Sequence, residues 1–262
     1  MTDQSGRKAI FITGAASGMG RETARLFARE GWFVGAYDLN AEGIASLEAE
    51  IGSKEGLFST LDVTDPEAFA AAMTRFEQAS GGRLDVMFNN AGIAVAGLFD
   101  EVAWEDIVKV VQVNLLGVMI GVRAAIGLLK VTPGSLCLTT SSSSAIFGTA
   151  GIATYSATKH AVRGLTEALS IEFMRHGVRA ADLLPGLIDT PILSDTIKAM
   201  APADGMWRLT PPSEVAQTVW SAYHGDKLHW YVPEELKAFD IQATAEPELV
   251  RQERAALAAF RE

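Results

Sequence analysis

Cysteine is nearly absent from this chain of 262 residues, and positive charge is in short supply. A single cysteine, Cys137, excludes an intramolecular disulfide and any cysteine-based metal spacing. It lies in the apolar stretch Ser135–Leu138, where a buried structural thiol is expected. Lys and Arg together number 22 against 32 Asp and Glu, for a net charge of -10. That balance argues against a nucleic-acid-binding surface, because neutralising phosphates takes clustered cations. The polar start, Met1 to Lys8, has no apolar core of the kind a signal peptide needs. The most apolar long segment, Val110 to Val122, is interrupted by Gln112 and Asn114 and is too short to span a bilayer. A cytoplasmic protein is therefore expected. Repeats are missing, as is any linker rich in Pro, Gly or Ser; the serine run at 141–144 is the one local bias.

What recurs is an alternation of short apolar runs with longer helical patterns. Lys8–Thr13, Trp32–Tyr37, Gly56–Leu61, Leu84–Phe88, Ser135–Thr140, Val178–Leu184 and Leu228–Val232 read as strands. Between them, helices are expected at 18–30, 41–51, 66–79, 103–130, 152–176 and 213–223. Asp65-Pro66-Glu67 is a clear helix entry, with a capping Asp before Pro at the first helical position. Length alone allows one large domain or two small ones. Strand–helix alternation with strands apolar on both faces predicts a single α/β domain built on a doubly wound parallel sheet. Such a sheet binds ligands beyond the carboxyl ends of its strands, so residues just after each strand carry the interest.

The first strand runs into Thr13-Gly14-Ala15-Ala16-Ser17-Gly18-Met19-Gly20 and then a helix. Glycines there permit a tight turn, close approach of a pyrophosphate and close helix–sheet packing. The helix start adds free N–H groups and a partial positive charge. The loop lacks the Gly-Lys-Ser/Thr ending of a phosphoryl-transfer loop. Asp38 follows the second strand at a distance suited to a ribose-binding acid, ahead of Leu39; as a lone feature it reads equally well as a turn or capping Asp. Asp62-Val63 and Asn89-Asn90-Ala91-Gly92 occupy the same rim, and either segment could be only a turn.

Ser142 … Tyr155-Ser156-Ala157-Thr158-Lys159 is the decisive segment. On a helix Tyr155 and Lys159 stand one turn apart, roughly 6 Å along the axis. Interconverting a carbonyl and an alcohol needs a hydride at carbon, which a nicotinamide supplies, and a proton at oxygen. A phenol with its ordinary pKa near 10 is a poor base at neutral pH, and a neighbouring ammonium corrects this by favouring the phenolate.

With these motifs in view, the chain resembles the short-chain dehydrogenase/reductase family from about Lys8 to Val232. The match lies in Thr-Gly-x-x-x-Gly-x-Gly at 13–20, Asn-Asn-Ala-Gly at 89–92, Tyr-x-x-x-Lys at 155–159, and Pro185-Gly186 with Thr190. The resemblance implies a Rossmann fold and a bound NAD. It implies that Tyr155 is the proton donor and acceptor, with Lys159 lowering its pKa and holding the nicotinamide ribose. Ser142 would orient the substrate oxygen, with Ser141 and Ser143 as alternatives. Asn114 would hold a water that links Lys159 to solvent. Gly14, Ser17, Gly18, Met19 and Gly20 would cradle the pyrophosphate, and Asp38 and Leu39 would meet the adenosine ribose. Asp62 and Val63 would flank the adenine; Asn90, Ala91 and Gly92 complete the rim. Pro185, Gly186, Ile188 and Thr190 would embrace the nicotinamide. No metal is implied, and a homodimer or homotetramer is.

One departure from the family pattern stands out. Tyr231-Val232-Pro233-Glu234-Glu235 leads into a charged helical tail, about 234–262, in place of a glycine-rich ending. The segment at about 187–210 carries Leu187, Ile192, Leu193, Ile197, Met200, Met206 and Trp207, and reads as an amphipathic helical flap faced by Ile146, Phe147 and Ala150. With no Arg or Lys at 187–197, an anchor for a charged substrate is missing, so a cyclic, aromatic or steroid-like alcohol is expected. No Arg or Lys lies at 15–19 or 36–41 to receive the extra phosphate of NADP; Arg21 is the nearest. An NADPH-dependent ketoreductase and a catalytically silent nucleotide sensor are the rival readings. His160 is expected to pack against a neighbouring helix, and His176, His224 and His229 show no constellation.

Overall fold

The structure is a computed structural model and describes residues 6–258. Met1–Ser5 of the polar start, and the last four residues of the C-terminal tail, lie outside that range. Seven strands form one parallel sheet: β1 (Ala9–Thr13), β2 (Phe33–Asp38), β3 (Gly56–Thr60), β4 (Val86–Asn89), β5 (Leu136–Thr140), β6 (Arg179–Pro185) and β7 (His229–Val232). Their order is β3-β2-β1-β4-β5-β6-β7, so the chain reverses its direction of winding between β1 and β4. Each strand lies within a few residues of its sequence expectation. The one shift that matters puts Asp38 inside β2, as its last residue.

Alternate side chains of each strand point to opposite faces, and both faces are covered. On one face α1 (Gly18–Arg29) and α8 (Pro212–His224) pack together, with the rings of Phe27, Trp32, Trp220 and Tyr223 meeting edge to face; α2 (Ala41–Ile51) adds Ile44 and Leu47. The opposite face is covered by α3 (Pro66–Ala79), by α5 (Gly117–Val131), and by α6 (Ala153–Glu172). There Phe11 stacks on Tyr37 at 4.1 Å and meets Phe69 and Phe76. Cys137 is fully buried in this layer, and burial pushes its thiol pKa up to about 12, so it is inert. Asp65 caps α3 as its sequence indicates, accepting from the N–H groups of Glu67 and Ala68.

The helix expected at 103–130 is not uniform. It runs as α4 (Trp104–Val111), a π-helical turn at Gln112–Leu116, and α5, continuous over 28 residues. By length and composition alone this run could cross a membrane, which the shorter apolar segment Val110–Val122 did not suggest. Its buried side chains, Val118, Val122, Ala125 and Leu129 among them, pack instead on the sheet. The segment 187–210 also departs from expectation. Only α7 (Asp195–Met200) is helical, and none of its six residues is buried. The remainder is irregular, closed at its base by a bridge between Ile188 and Thr210. After β7 come α9 (Leu236–Ala245) and α10 (Pro247–Ala258).

Two glycines of α5 separate packing from propensity. A Cβ at Gly121 would lie 2.2 Å from the Asn89 side chain and 3.1 Å from Phe69, whereas one at Gly127 meets nothing within 4 Å. Alanine gains about 1 kcal/mol over glycine inside a helix, while overpacking a core costs about 1–3 kcal/mol or more. Gly127→Ala should therefore raise stability by up to about 1 kcal/mol. Gly121→Ala should lower it by about 1–2 kcal/mol, or some 2–8 °C in Tm for a domain of this size, measured by thermal denaturation.

Candidate active site

The rim is assembled around the ends of β1 and β4. The Thr13 hydroxyl accepts from the N–H groups of Asn90 and Ala91, both at 3.0 Å. The Asn90 amide returns the contact, donating to the carbonyls of Thr13 at 3.0 Å and Gly14 at 3.2 Å, and accepting from the Thr140 hydroxyl at 3.2 Å. Sequence reading named Asn90 and Ala91 but missed Thr13 and Thr140, whose partners lie far along the chain.

Glycines fit the loop closely. Gly14 takes φ +69° and its absent Cβ would touch Ala91 Cα at 2.9 Å; at Gly20 a Cβ would lie 2.2 Å from the Gly14 carbonyl oxygen. Gly18, at φ +52°, sits under Thr190. Met19 packs on the core behind. Ser17 begins α1 without a side-chain cap, and no acid lies in the first turn. The helix start therefore keeps its N–H groups and its positive dipole end available, which suits a dinucleotide pyrophosphate.

Asp38 fills the turn role its sequence context allowed and also braces the glycine loop. Oδ1 accepts from the Asn40 N–H at 2.9 Å, a turn contact, while Oδ2 accepts from the Ala16 N–H at 3.0 Å and ties β2 to the glycine loop. An ionised carboxylate has further lone pairs for ribose hydroxyls. Leu39 beside it is 72% exposed. Asp62 bonds within its own turn, to the Thr64 N–H and hydroxyl, and Val63 packs against Gly117. Arg21, the nearest cation, is committed elsewhere. It donates to the carbonyls of Ala16 and Gly43, to Ser46 and to Glu50 at 2.9 Å.

Across the crevice, α6 brings Tyr155 and Lys159 beneath the end of β5. Ser142 starts a single 3-10 turn, its Oγ accepting from the Ser144 N–H, and its hydroxyl hydrogen-bonds Tyr155. Ser141 is engaged elsewhere: its hydroxyl donates to the Lys159 carbonyl at 3.0 Å and fastens β5 to α6. Lys159 is buried; its ammonium donates to the Thr140 carbonyl at 2.7 Å and lies 5.5 Å from the centre of the Tyr155 ring. Burial raises the Tyr155 phenol pKa and the Ser142 bond pulls it down, while burial lowers that of Lys159 to about 8. Asn114, fully buried in the π-helical turn, accepts from the Ile93 N–H and donates to the Ile93 carbonyl, both at 2.9 Å, and donates to Thr158 at 3.3 Å. A Cβ at Gly92 would stand 3.4 Å from the Asn114 Oδ1 and 3.5 Å from the Lys159 Nζ, so Gly92 is where these groups converge.

The third wall follows β6. Pro185 ends the strand; the Gly186 N–H donates to the Val232 carbonyl at 2.8 Å; Ile188 and Thr190 are buried. Ala150 is exposed, whereas Ile146 is buried among Leu184, Leu236 and Phe239. Two histidine expectations need correction. His160 is exposed and bonds the Ser156 carbonyl of its own helix. His229 does belong to a constellation, with Asp182 at 2.7 Å and Glu167 at 3.5 Å. One face of α6 carries Tyr155, Lys159, Arg163 and Glu167 in succession, and Arg163 pairs with Asp240 of α9 at 2.7 Å.

Comparison with known proteins agrees with this geometry. The family model for short chain dehydrogenase matches residues 8–201. The chain belongs to that family. It is 37% identical over 222 residues to a 2,5-dichloro-2,5-cyclohexadiene-1,4-diol dehydrogenase of Sphingobium indicum, covering 82% of this chain and 88% of that one. A cyclohexanol dehydrogenase of an Acinetobacter species is 33% identical over 223 residues, covering 84% and 88%. Among solved structures, a 3-ketoacyl-(acyl-carrier-protein) reductase from Brucella melitensis, complexed with NADH, superposes with a TM-score of 0.78 at 28% identity, over 86% of this chain and 96% of that one. This family member is therefore an oxidoreductase acting on alcohols, with the doubly wound parallel sheet that the sequence indicates.

The buried ammonium has a thermodynamic signature. Its pKa near 8 in the fold lies below the ordinary 10.5 of the unfolded chain, so between these values the unfolded chain binds more protons and stability rises with pH. The penalty is full below pH 8 and is relieved toward 10.5. Urea titration of the parent and Lys159→Met should show the parent gaining about 3 kcal/mol on the variant from pH 7 to 10.5.

Proposed function

We propose that this dehydrogenase oxidises a hydrophobic cyclic secondary alcohol, or reduces the matching ketone, using NAD(H). The observation that carries the reading is the grouping of Ser142 with Tyr155 and of the buried Lys159 with the Tyr155 ring, while Lys159 and Asn114 meet at Gly92. The bound nicotinamide supplies the hydride chemistry. Ser142 orients the substrate oxygen, and Tyr155 takes its proton in oxidation and returns it in reduction. Lys159 holds a positive charge against the phenol, which favours the phenolate, and holds the nicotinamide ribose. Asn114 carries the water that links Lys159 to solvent. Gly14, Ser17, Gly18, Met19 and Gly20 would hold the pyrophosphate, Asp38 and Leu39 the adenosine ribose, and Asp62 and Val63 the adenine. Asn90, Ala91, Gly92, Pro185, Gly186, Ile188 and Thr190 enclose the nicotinamide end.

Substrate class is supported by the dehydrogenases of cyclic alcohols among the relatives and by the apolar wall of Ile146, Leu236 and Phe239. We further propose a soluble cytoplasmic homodimer or homotetramer. Exposed Trp104, Leu116 and Met119 on the long helix, with Ile171 at the end of α6, support pairing, and light scattering reads the mass directly. A silent nucleotide sensor would need none of the Ser142–Tyr155–Lys159 contacts.

Tyr155→Phe keeps the ring and loses the proton carrier. Turnover should fall by about 10²–10⁴-fold while NAD affinity stays within a few-fold. Retention of more than about a tenth of the parent rate refutes the assignment.

Cofactor choice follows from charge. Hydrogen bonds from the ribose hydroxyls to a carboxylate contribute roughly 1.5–3 kcal/mol each, and two like charges at about 4 Å cost about 4 kcal/mol at an effective dielectric of 20. With screening, a preference for NAD over NADP of about 30- to 1,000-fold is expected in kcat/KM. Asp38→Ser with Leu39→Arg should weaken NAD and recruit NADP at fixed ionic strength. Equal use of both cofactors by the parent enzyme contradicts the ribose role of Asp38.

A further inference from the structure

α10 packs on the rest of the molecule through few side chains. Val250 is fully buried, and of residues 251–256 only Arg254 is withdrawn from solvent. Its guanidinium carbon stands 4.2 Å from the centre of the Trp207 ring and 4.8 Å from that of Phe239, and these two rings meet edge to face at 5.4 Å. Trp207 belongs to the segment between β6 and α8, Phe239 to α9. One cation thus joins three separate parts of the chain.

What it joins borders the candidate active site. Met206 and Trp207 pack against a cluster of Ile146, Leu184, Leu236 and Phe239, with Phe147 alongside. Ile146 and Phe147 follow directly on the short turn that Ser142 begins. A Cβ at Gly186 would meet Leu236 at 3.3 Å and the Met206 carbonyl at 3.5 Å, so the cluster also touches the end of β6. The segment 187–210 has few other fastenings. Its base is closed by the hydrogen bonds between Thr210 and the backbone of Leu187 and Asp189; Lys198 pairs with Asp189, and Arg208 with Glu214 and Glu235. Those are ion pairs at the surface, which hold weakly. Beyond Ile188, buried in the core at the base of the segment, apolar fastening comes from Met206 and Trp207.

We propose that Arg254 is a specificity-determining positioning residue: by clamping Trp207 onto Phe239 it fixes the side wall against which the ring of a cyclic alcohol is held. The substrate half of this inference rests on the function proposed above. The clamp itself rests on geometry alone. A small acyclic alcohol does not reach the wall and should not sense it.

The test uses the full chain with Arg254→Ala, with Arg254→Met, which keeps an apolar stem without the charge, and with Arg251→Ala as an exposed control on the same helix. Hydrogen exchange of residues 195–208 is measured without substrate, and kcat and KM are measured with NAD for cyclohexanol and for 2-propanol. Cation–π contacts of this strength correspond to about 2- to 30-fold. Exchange in the segment should rise by that factor in both Arg254 variants, and KM for cyclohexanol should rise with it. KM for 2-propanol, NAD affinity and kcat should stay within about twofold, and Arg251→Ala should match the parent. Unchanged exchange overturns the clamp. Faster exchange with unchanged cyclohexanol KM, or an equal rise for both alcohols, overturns the specificity role. If the parent turns over neither alcohol, the proposed function fails as well as the specificity role, and the exchange result still decides the clamp.

Discussion

Everything in this site hangs from one side-chain amide. Asn90 donates to the backbone of β1 and the glycine loop, accepts from Thr140 at the end of β5, and directly follows β4. Parallel strands have no turn to hold their ends in register, so the point where the winding reverses is where the sheet would otherwise gape. The amide closes that point with groups that would be costly to bury unpaired. Because the carbonyl of Thr140 also receives the Lys159 ammonium, the glycine loop and the Tyr155–Lys159 pair are held in one short chain of bonds. A displacement of β4 against β1 moves both halves of the site together.

Burial sets the chemistry on that frame. A lysine in the interior is a penalty for folding, and its ammonium stands between the Thr140 carbonyl and the Tyr155 ring, where the proposed function puts a positive charge to use. Stability is given up where function needs charge, a common compromise at active sites. The flanks follow the same logic with less strain: Arg163 and Asp240 join α6 to α9, so the helix that carries Tyr155 is braced by the tail of the chain.

The fold and most of the site were legible because their signals are local. Glycines before a helix, a Tyr and a Lys one turn apart, and an Asp at the end of a strand each state a geometry within a few residues. Features that depend on distant partners were not legible. Thr13 and Thr140 look like ordinary strand ends, Ser141 and Ser142 look alike, and His229 gains its meaning only when β7 lies beside Asp182. Segment 187–210 misled for a related reason. Apolar residues at helical spacing imply a face to bury, but Ile192, Ile197 and Met200 bury little, and the chain there is mostly irregular. The π-helical turn leaves no mark in hydrophobic periodicity at all.

That turn carries a further implication, for deletion and insertion. A π-helical turn holds one residue more than the α-helix around it, and one residue is worth about 100° of rotation. With it, α4 and α5 keep separate azimuths: Asn114 faces Ile93 and Thr158, while Gly121 keeps its bare flank on β4. A single-codon deletion within Gln112–Leu116 would remove the extra residue and, with it, the widened turn from which Asn114 reaches Ile93 and Thr158. The number of residues in this stretch thus matters alongside their identity.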